Sequence, residues 1–414
     1  MTNTYEKIRG EVLAGGALGE EEPTVSGWRA VLGVGIILAL LAWLAYASIW
    51  SFVFVVGLLF CIFLHEMGHY ITAKKSGMKV TQFFMGMGPK LWSYRRGETE
   101  YGVRMFPVGA FVRIIGMNNL DETPPEDEDR TYRSKSYPRR MLTITAGSIM
   151  HMLIAILLLF SVYTIWGKNE PTGKIAVVEV VKGLGADQAG VQPNDVIVAL
   201  DGARIGSAED VSRVVRSHAP GEHIAITVDR AGQQVELTAT LGANPQDPAI
   251  GYLGIRSGEP NAFVRQSLGQ AISGSFTDLG SAAWQSVGGV IKVMNPVNIY
   301  QHLVGENTDQ ATQPVTVVGI SRLSNDIGHE TGLAGILLTL AGVNVFVGLL
   351  NMFPLLPFDG GHAAIASYER VRSRPGRRYY ADAGKMVPVA MAVMTFLVFV
   401  LFTGLYLDFA RPIK

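Results

Sequence analysis

A pair of histidines, with a glutamate between them, closes one apolar stretch of the chain. In His65-Glu66-Met67-Gly68-His69 the imidazoles are four residues apart, so a helix would place both on one face, one turn apart. Imidazoles at this spacing can ligate one zinc ion, and the flanking carboxylate of Glu66 can accept a proton from water that zinc activates. Such side chains inside an apolar helix are costly unless they have partners. The setting therefore favours a metal site over a chance match to the pattern.

Zinc requires a third protein ligand, and neither a histidine nor a glutamate follows His69 at short range. The best candidate lies far along the chain, in the segment NMFPLLPFDGGH over 351–362. There Asp359 has apolar surroundings, and two prolines interrupt the helix so that the backbone can turn this side chain inward. The alternative is a simple turn or helix N-cap at Asp359-Gly360. Because the histidine pair lacks a third ligand, we predict zinc at His65, His69 and Asp359.

Apolar residues make up 48% of the chain and are concentrated in blocks, each near the length of about 20 residues that a membrane-spanning helix needs. The blocks cover about 30–47, 49–64, 141–166, 333–353 and 386–408. The first two, if joined, would form a helix of about 50 Å, which is too long for one crossing. We therefore predict a tight hairpin near Ser48–Ser51 and five spans, with one tilted or re-entrant element as the alternative.

The 35 acidic and 35 basic residues balance, so bulk charge gives no reason to expect nucleic acid as a partner. Basic residues cluster over 70–140 and again over 370–385, beside the ends of predicted spans. Clusters of this kind face the cytoplasm. The segment 168–332 is therefore predicted to lie outside, with the N-terminus inside.

Two further regions are predicted to form β-structure. Over 80–117, β-forming residues punctuated by glycines predict a small hairpin region. Residues 173–258 read as strands with one helix, which a cap at Ser207 would start. Their order resembles a PDZ domain of the bacterial protease type. The segment Tyr252-Leu253-Gly254-Ile255 resembles the PDZ loop that accepts a peptide carboxylate. The alternative is a small α/β domain with an inert groove.

The predicted fold class is a multi-pass α-helical membrane protein with a membrane-associated β-hairpin region and an extracytoplasmic PDZ (α/β) domain. Its predicted parts follow one another along the chain. They are a flexible cytoplasmic tail over 1–27, two spans over 28–73, a cytoplasmic β-hairpin region with an acidic loop over 74–138, a span over 139–167, the PDZ-like domain over 173–258, an amphipathic membrane-surface segment over 259–332, a span with Asn351 and Asp359 over 333–362, a basic cytoplasmic loop over 363–385 and a last span over 386–408.

The motifs HEMGH and NMFPLLPFDGGH, together with the hairpin segment, resemble the bacterial site-2 protease family of intramembrane zinc metalloproteases. The likeness covers roughly 50–408, and one PDZ domain between the central spans is a common bacterial arrangement. The resemblance implies zinc at the three predicted ligands, Glu66 as general base, and Asn351 holding the substrate strand or stabilising the oxyanion.

The same resemblance implies a location and partners. It implies a protein of the bacterial inner membrane, in contact with the lipid bilayer. The basic segments over 70–140 and 370–385 predict an active site near the cytoplasmic face. The resemblance also implies regulated proteolysis of single-span signalling proteins, often anti-sigma factors, after a first cut has removed their outer domain. Peptide tails at the PDZ-like domain are implied as well, and nucleic acid is not.

Two features depart from the family pattern. Over 146–151, AGSIMH has Ser148 where the family commonly has proline, and His151 where it has asparagine. His151 is therefore either a group that hydrogen-bonds substrate or a polar residue packed between helices. The first apolar block also lies outside the family's minimal core.

His362 is a candidate to support Asp359, and Cys61 is expected to be a buried, reduced core residue.

Two other classes of function stay open. One is a membrane scaffold, an inactive relative that binds peptide tails. The other is a transporter or channel, because histidine, aspartate and glutamate inside a membrane can also relay protons. The intact Glu66 argues against the first, and the metal-ligand spacing argues against the second.

Overall fold

The computed structural model describes residues 27–117, 121 and 123–413. Of the predicted tail over 1–27, all but Gly27 lies outside these residues. The described chain forms two compact units. One comprises the residues up to Val162 and those from Ile272 onward, and the other comprises Tyr163–Ala271. The first unit contains the histidine pair and Asp359, and so the candidate chemistry.

The described residues form ten α-helices and twelve strands. The helices are α1 (Trp28–Ala47), α2 (Ile49–Lys75), α3 (Tyr137–Ile165), α4 (Gly185–Gln188), α5 (Ala208–Arg216), α6 (Leu268–Val293), α7 (Pro296–Val304), α8 (Val317–Asn351), α9 (Asp359–Arg372) and α10 (Val387–Ala410). The strands are β1 (Val80–Arg96), β2 (Thr99–Ile114), β3 (Lys168–Pro171), β4 (Ala176–Val180), β5 (Val196–Leu200), β6 (Ala203–Arg204), β7 (His223–Arg230), β8 (Gln233–Thr240), β9 (Gly242–Ala243), β10 (Gly251–Tyr252), β11 (Ile255–Gly258) and β12 (Asn261–Val264).

Five helices in the described part of the chain are long and apolar enough to cross a membrane, namely α1, α2, α3, α8 and α10. This confirms the predicted number. The first two are separate helices because the backbone is extended at Ser48, whose hydroxyl accepts a hydrogen bond from the Ser51 N–H at 3.1 Å and so caps α2. The predicted break between the first two apolar blocks is therefore present.

Helix α8 is 35 residues long, and a straight helix of that length would measure about 52 Å. It is not straight, because Gly332 has φ 64° and ψ −150°, a conformation that only glycine adopts readily. The predicted boundary between a surface segment and a span falls at this residue. The residues from Val317 up to this glycine, which the sequence assigns to the surface segment, are nevertheless helical and form the first part of α8.

The packing of α2 against α8 sets the position of the histidine pair. Phe54 of α2 is buried against Ile336 and Leu340 of α8. Two polar contacts near the start of α2 support this packing. The Ser48 hydroxyl donates to the Asn325 side chain at 2.5 Å, and the Ser51 hydroxyl donates to a backbone carbonyl of α8 at 2.7 Å. Burial and hydrogen bonding together hold the two helices in one relative position.

Strands β1 and β2 form an irregular antiparallel hairpin beside α2. Phe83 of β1 lies opposite Val112 on one side and Tyr101 on the other, so the start of β1 is paired along both edges. The segment 110–114 pairs only with β1, and its other edge has no strand partner among the described residues. The Tyr70 and Tyr101 hydroxyls, 2.5 Å apart, join α2 to this hairpin. An unpaired strand edge is thus held close to the helix that carries the histidines.

The last candidate span, α10, is fixed to the start of α8 by one buried carboxylate. Asp408 accepts hydrogen bonds from the backbone N–H groups of Thr316 and Gly319, at 3.1 and 3.0 Å, and from the Thr316 hydroxyl. These donors belong to the first turn of α8, whose N–H groups have no partner within the helix. A negative charge there also suits the helix dipole. Asp408 therefore ties the two helices together.

The second unit is built on a six-stranded sheet in the order β11-β4-β5-β7-β8, with β6 paired to β5. Alternating apolar residues of these strands, such as Ile224, Ile226 and Val228 of β7, form its core with α5. A capping box between Ser207 and Asp210 starts α5, which confirms the predicted cap. The segment Tyr252-Leu253-Gly254-Ile255 leads into β11, an edge strand of the sheet.

Candidate metal centre

Three side chains that can bind a metal meet in the first unit. His65 and His69 lie one turn apart on α2, and Asp359 is the first residue of α9. The His65 and His69 Nε2 atoms are 3.2 Å apart, and Asp359 Oδ2 lies 3.6 Å from the first and 3.2 Å from the second. These are the three residues that the sequence predicts as ligands. The described chain contains no other group of three such side chains this close together.

The distances suit zinc in particular. Zinc binds histidine nitrogen and carboxylate oxygen at about 2.0–2.2 Å in a tetrahedral arrangement, so neighbouring ligand atoms are about 3.3–3.6 Å apart. The three measured separations, 3.2, 3.2 and 3.6 Å, match the edges of such a tetrahedron. Both imidazoles are buried, and Asp359 Oδ2 has no hydrogen-bond donor in the described residues although it is buried. A cation at this point would satisfy an otherwise costly cluster.

The tautomer of His69 also supports a cation at this site. Its Nδ1 lies 2.8 Å from the Thr143 backbone carbonyl, which can only accept, so the proton is assigned to Nδ1. The Nε2 atom of His69 then presents a lone pair to His65 and to the Asp359 carboxylate. His69 Nε2 and Asp359 Oδ2, 3.2 Å apart, therefore face each other without a proton from His69 between them, and a positive ion would stabilise this arrangement. A carbonyl that orients a histidine in this manner is usual at zinc sites.

Helix α3 packs against the histidine pair at a glycine, Gly147. A Cβ built on Gly147 would collide with the ring atoms of both His65 and His69. Next to it, Gly68 of α2 lies so close to α3 that a Cβ there would be 2.8 Å from the Ala146 carbonyl oxygen. Small residues at this crossing let the two helix backbones approach closely. Gly147 therefore forms one wall of the metal site.

Two glycines also place the aspartate. A Cβ on Gly360 would collide with the Met352 carbonyl, and one on Gly361 would lie 2.5 Å from the Leu356 backbone nitrogen. The loop after α8 can fold against the start of α9 only because both side chains are absent. The residue at the N-cap position is Phe358, and Asp359 is directed to the histidines. The alternative interpretation of Asp359 as a turn or cap residue is therefore wrong.

Glu66 lies on the same turn of α2 and is partly exposed. Its carboxylate lies near His69 and Asp359 and near the backbone of Val112 in β2. Val112 belongs to the segment whose outer edge is unpaired. The arrangement thus brings a carboxylate, the metal ligands and a free strand edge into one neighbourhood.

Behind His65 lies a polar network that the sequence reasoning found only in part. The His151 ring is 4.7 Å from the His65 ring, and its Nδ1 is 2.7 Å from the Asn344 side-chain oxygen. The Asn344 amide donates to the Leu340 carbonyl and to the Cys61 sulfur. Asn344 was missed, although an asparagine in the middle of an apolar span is a signal in itself. His151 is buried between helices, so it supports His65 in this structure, and Cys61 is buried as expected.

Two predicted residues form no hydrogen bond with the predicted ligands in the described chain. Asn351 is the last residue of α8 and is half-buried, and its side chain makes no hydrogen bond within the described chain. His362 lies one turn after Asp359 on α9 and likewise has no hydrogen-bond partner among the residues described. Their roles stay predictions.

The comparisons with known proteins cover most of the chain. The family model described as Peptidase family M50 matches residues 53–395. The chain is 29% identical over 393 residues to the zinc metalloprotease Rip1 of Mycobacterium tuberculosis, covering 87% of this chain and 97% of that protein. The identity to a putative zinc metalloprotease of Rhizobium meliloti is also 29%, over 83% of this chain and 92% of the relative.

A solved structure is similar to one part of the chain. The PDZ domain of an SdrC-like protein from Listeria innocua is 19% identical and covers 20% of this chain and 92% of that domain, with a TM-score of 0.19. A TM-score this low leaves the second unit to be described by its own strand order. The family match, by contrast, spans both metal-ligand motifs, and members of this family depend on zinc. The chain belongs to peptidase family M50 and is a zinc metalloprotease.

Proposed function

We propose that this protein is a multi-pass enzyme of the bacterial inner membrane that cleaves the transmembrane segments of single-span signalling proteins, such as anti-sigma factors. The observation that carries the proposal is the set of three ligand atoms at tetrahedral spacing, on helices apolar enough to span a membrane. A hydrolytic centre on such helices is suited to peptide bonds that other proteases cannot reach.

His65, His69 and Asp359 hold the zinc ion, which supplies Lewis acidity toward the scissile carbonyl and toward water. Glu66 accepts a proton from the attacking water and returns it to the leaving nitrogen. Its place on the turn of α2 between the two histidines supports this role, because it puts the carboxylate beside the ligand cluster. Asn351 is proposed to hold the substrate strand or to stabilise the oxyanion.

A transmembrane helix hides its carbonyls in its own hydrogen bonds, so the segment to be cut must first unwind. The free edge at 110–114 can pair with such an extended segment by strand addition. Because Val112 on that edge lies near Glu66, a strand bound there would pass close to the proposed general base. This contact supports the hairpin as the element that presents substrate.

The second unit is proposed to be an extracytoplasmic PDZ domain that binds peptide tails. Its edge strand β11 follows the Tyr252-Leu253-Gly254-Ile255 loop, and α5 contacts β11. The strand β11 and the helix α5 would form the two walls of a PDZ groove. The basic clusters over 70–140 and 370–385 favour a cytoplasmic position for the opposite ends of the spans. The active site is then near the cytoplasmic face.

The decisive experiment is the substitution Glu66→Gln in the full-length protein, with zinc content and cleavage of single-span candidate substrates measured side by side. The variant should keep one zinc per chain and lose cleavage by roughly 10²–10⁴-fold, the contribution of a positioned general base. Glu330→Gln, an exposed glutamate on α8, is the matched control and should cleave normally. Cleavage by Glu66→Gln at the wild-type rate would refute the proposed mechanism.

A further inference from the structure

A cavity of about 750 Å³ lies on the first unit, away from the metal ligands, between the first turn of α3 and the end of α9. Five arginines and one glutamate are among its lining residues, which gives a net charge of +4. They are Arg140, Arg370, Arg374, Arg377, Arg378 and Glu369. Neither the proposed hydrolysis nor the substrate edge uses these residues. A cavity with this charge is suited to an anion.

The one glutamate pairs with a single arginine, so the cavity keeps its positive net charge. Glu369 forms an ion pair with Arg140 at 2.7 Å and accepts a hydrogen bond from the Ala381 backbone N–H at 2.8 Å. Arg140 is 4% exposed, and its Nε has no hydrogen-bond partner in the described chain although it is buried. The Arg140 guanidinium is therefore paired but keeps one unsatisfied N–H, and a buried unsatisfied donor of this kind is costly.

The rim of the cavity is a rigid turn that presents two more arginines. Arg374 and Arg377 exchange backbone hydrogen bonds at 3.1 and 2.9 Å around Pro375 and Gly376, and Gly376 has φ 76°. Both arginine side chains are exposed and form no ion pair within the described residues. Arg378 is held in place by the Ser134 and Lys135 carbonyls. A fixed backbone with free guanidinium groups matches the planar, two-pronged contact that arginine makes with phosphate.

The surroundings of the cavity indicate which molecule would supply a phosphate group to these arginines. The cavity lies at the first turn of α3, a candidate span, and therefore at the depth of the headgroup layer if α3 crosses the membrane. On α9 beside it, Val371 is 83% exposed and Tyr368 is 50% exposed, and such side chains suit the membrane interface. We propose that this cavity binds the phosphate of an anionic phospholipid headgroup and holds the ends of α3 and α9 at the membrane surface.

The test uses full-length protein in detergent micelles, titrated with phosphatidylglycerol or phosphatidylcholine in competition with a fluorescent phosphatidylglycerol. Wild type should prefer phosphatidylglycerol. Arg374→Ala with Arg377→Ala should weaken its binding roughly 30-fold, since each arginine near an anionic lipid surface contributes about a factor of five. The matched control, Arg204→Ala with Arg216→Ala, removes two exposed charges from the second unit and should bind as wild type.

Three results would overturn the proposal. They are unchanged binding by the Arg374/Arg377 double alanine variant, an equal loss in the control, and inorganic phosphate that competes as strongly as the lipid. If the alanine variant does not fold, as judged by its melting temperature, Arg374→Lys with Arg377→Lys replaces it. That variant keeps the charge and loses the two-pronged contact, so it should bind more weakly than wild type, and equal affinity would exclude the arginine–phosphate contact.

Discussion

At the scale of single residues, the sequence was enough to propose the three ligands but not the groups that support them. His65, His69 and Asp359 stand out in the sequence because ionisable groups are expensive in apolar helices. Gly147 carries no such signal, because a missing side chain becomes meaningful only when another helix approaches it. The structure shows that this absence leaves space for both imidazoles.

Gly147→Ala is therefore expected to disturb zinc binding although it adds only one methyl group. The new Cβ would displace both ligand rings, and we expect zinc affinity and cleavage to fall roughly 10- to 100-fold, as when other groups that support a metal ligand are changed. Gly342→Ala is the matched control, since a Cβ there meets nothing within 4 Å. Zinc titration that finds both variants equal to wild type would contradict this account of the site.

A second residue-level prediction concerns acid stability of the second unit. Burial raises the pKa of Asp195, but hydrogen bonds from Arg230 and the Gln192 N–H outweigh it and hold the pKa below its usual 3.8. The folded state then binds fewer protons than the unfolded state, so this stabilisation is complete above pH 3.8 and is lost as the pH falls through the folded pKa.

Asp195→Asn should lower the stability of this unit at neutral pH by roughly 1.5–3 kcal/mol, the range for hydrogen bonds to charged groups. The stability of this unit should also depend less on pH in the acid range, because the titrating carboxylate is absent. Hydrogen exchange of residues 163–271 in the full-length protein, followed against pH, measures both effects. The control is Asp247→Asn, an exposed aspartate that accepts only one backbone N–H, from Ala249. An acid profile of Asp195→Asn that coincides with wild type would disprove this linkage.

At the scale of elements, length and hydropathy predicted the helices, and strand pairing escaped prediction. The five candidate spans follow from apolar blocks near the thickness of a bilayer. The double pairing of Phe83 does not follow, because the register of an irregular hairpin depends on contacts with α2 that lie outside the strands. The N-terminal extension of α8 to Val317 was also missed, since polar residues there resemble a surface segment.

The junction of α8 and α10 gives a prediction at this scale. Asp408→Ala leaves the N–H groups of Thr316 and Gly319 without their acceptor, and unsatisfied buried donors cost roughly 1–3 kcal/mol. The free energy of unfolding of the detergent-solubilised protein should fall by that amount. Thr395→Ala, an exposed position on α10 bonded only to its own helix, should stay within about 0.5 kcal/mol of wild type. Equal stability of the two variants would remove Asp408 as a structural anchor.

At the scale of the whole molecule, the two-unit organisation followed from composition, because the second unit lacks long apolar blocks and alternates like a sheet. This division suggests a filter: the proposed PDZ domain excludes substrates whose bulky outer part is still attached. Deletion of 173–258 should therefore permit cleavage of substrates that have not received their first cut, whereas wild type cleaves only trimmed ones. Gel-based cleavage of both substrate forms measures this, and an unchanged preference after the deletion would rule the filter out.

The wide separation of the ligands along the chain bears on biosynthesis. A nascent polypeptide that has not yet reached residue 359 carries the two imidazoles of α2 without the carboxylate of α9. It cannot assemble the three-point cradle, so hydrolytic competence arrives only after residue 359 has been translated. The protease is in this way latent during most of its own synthesis.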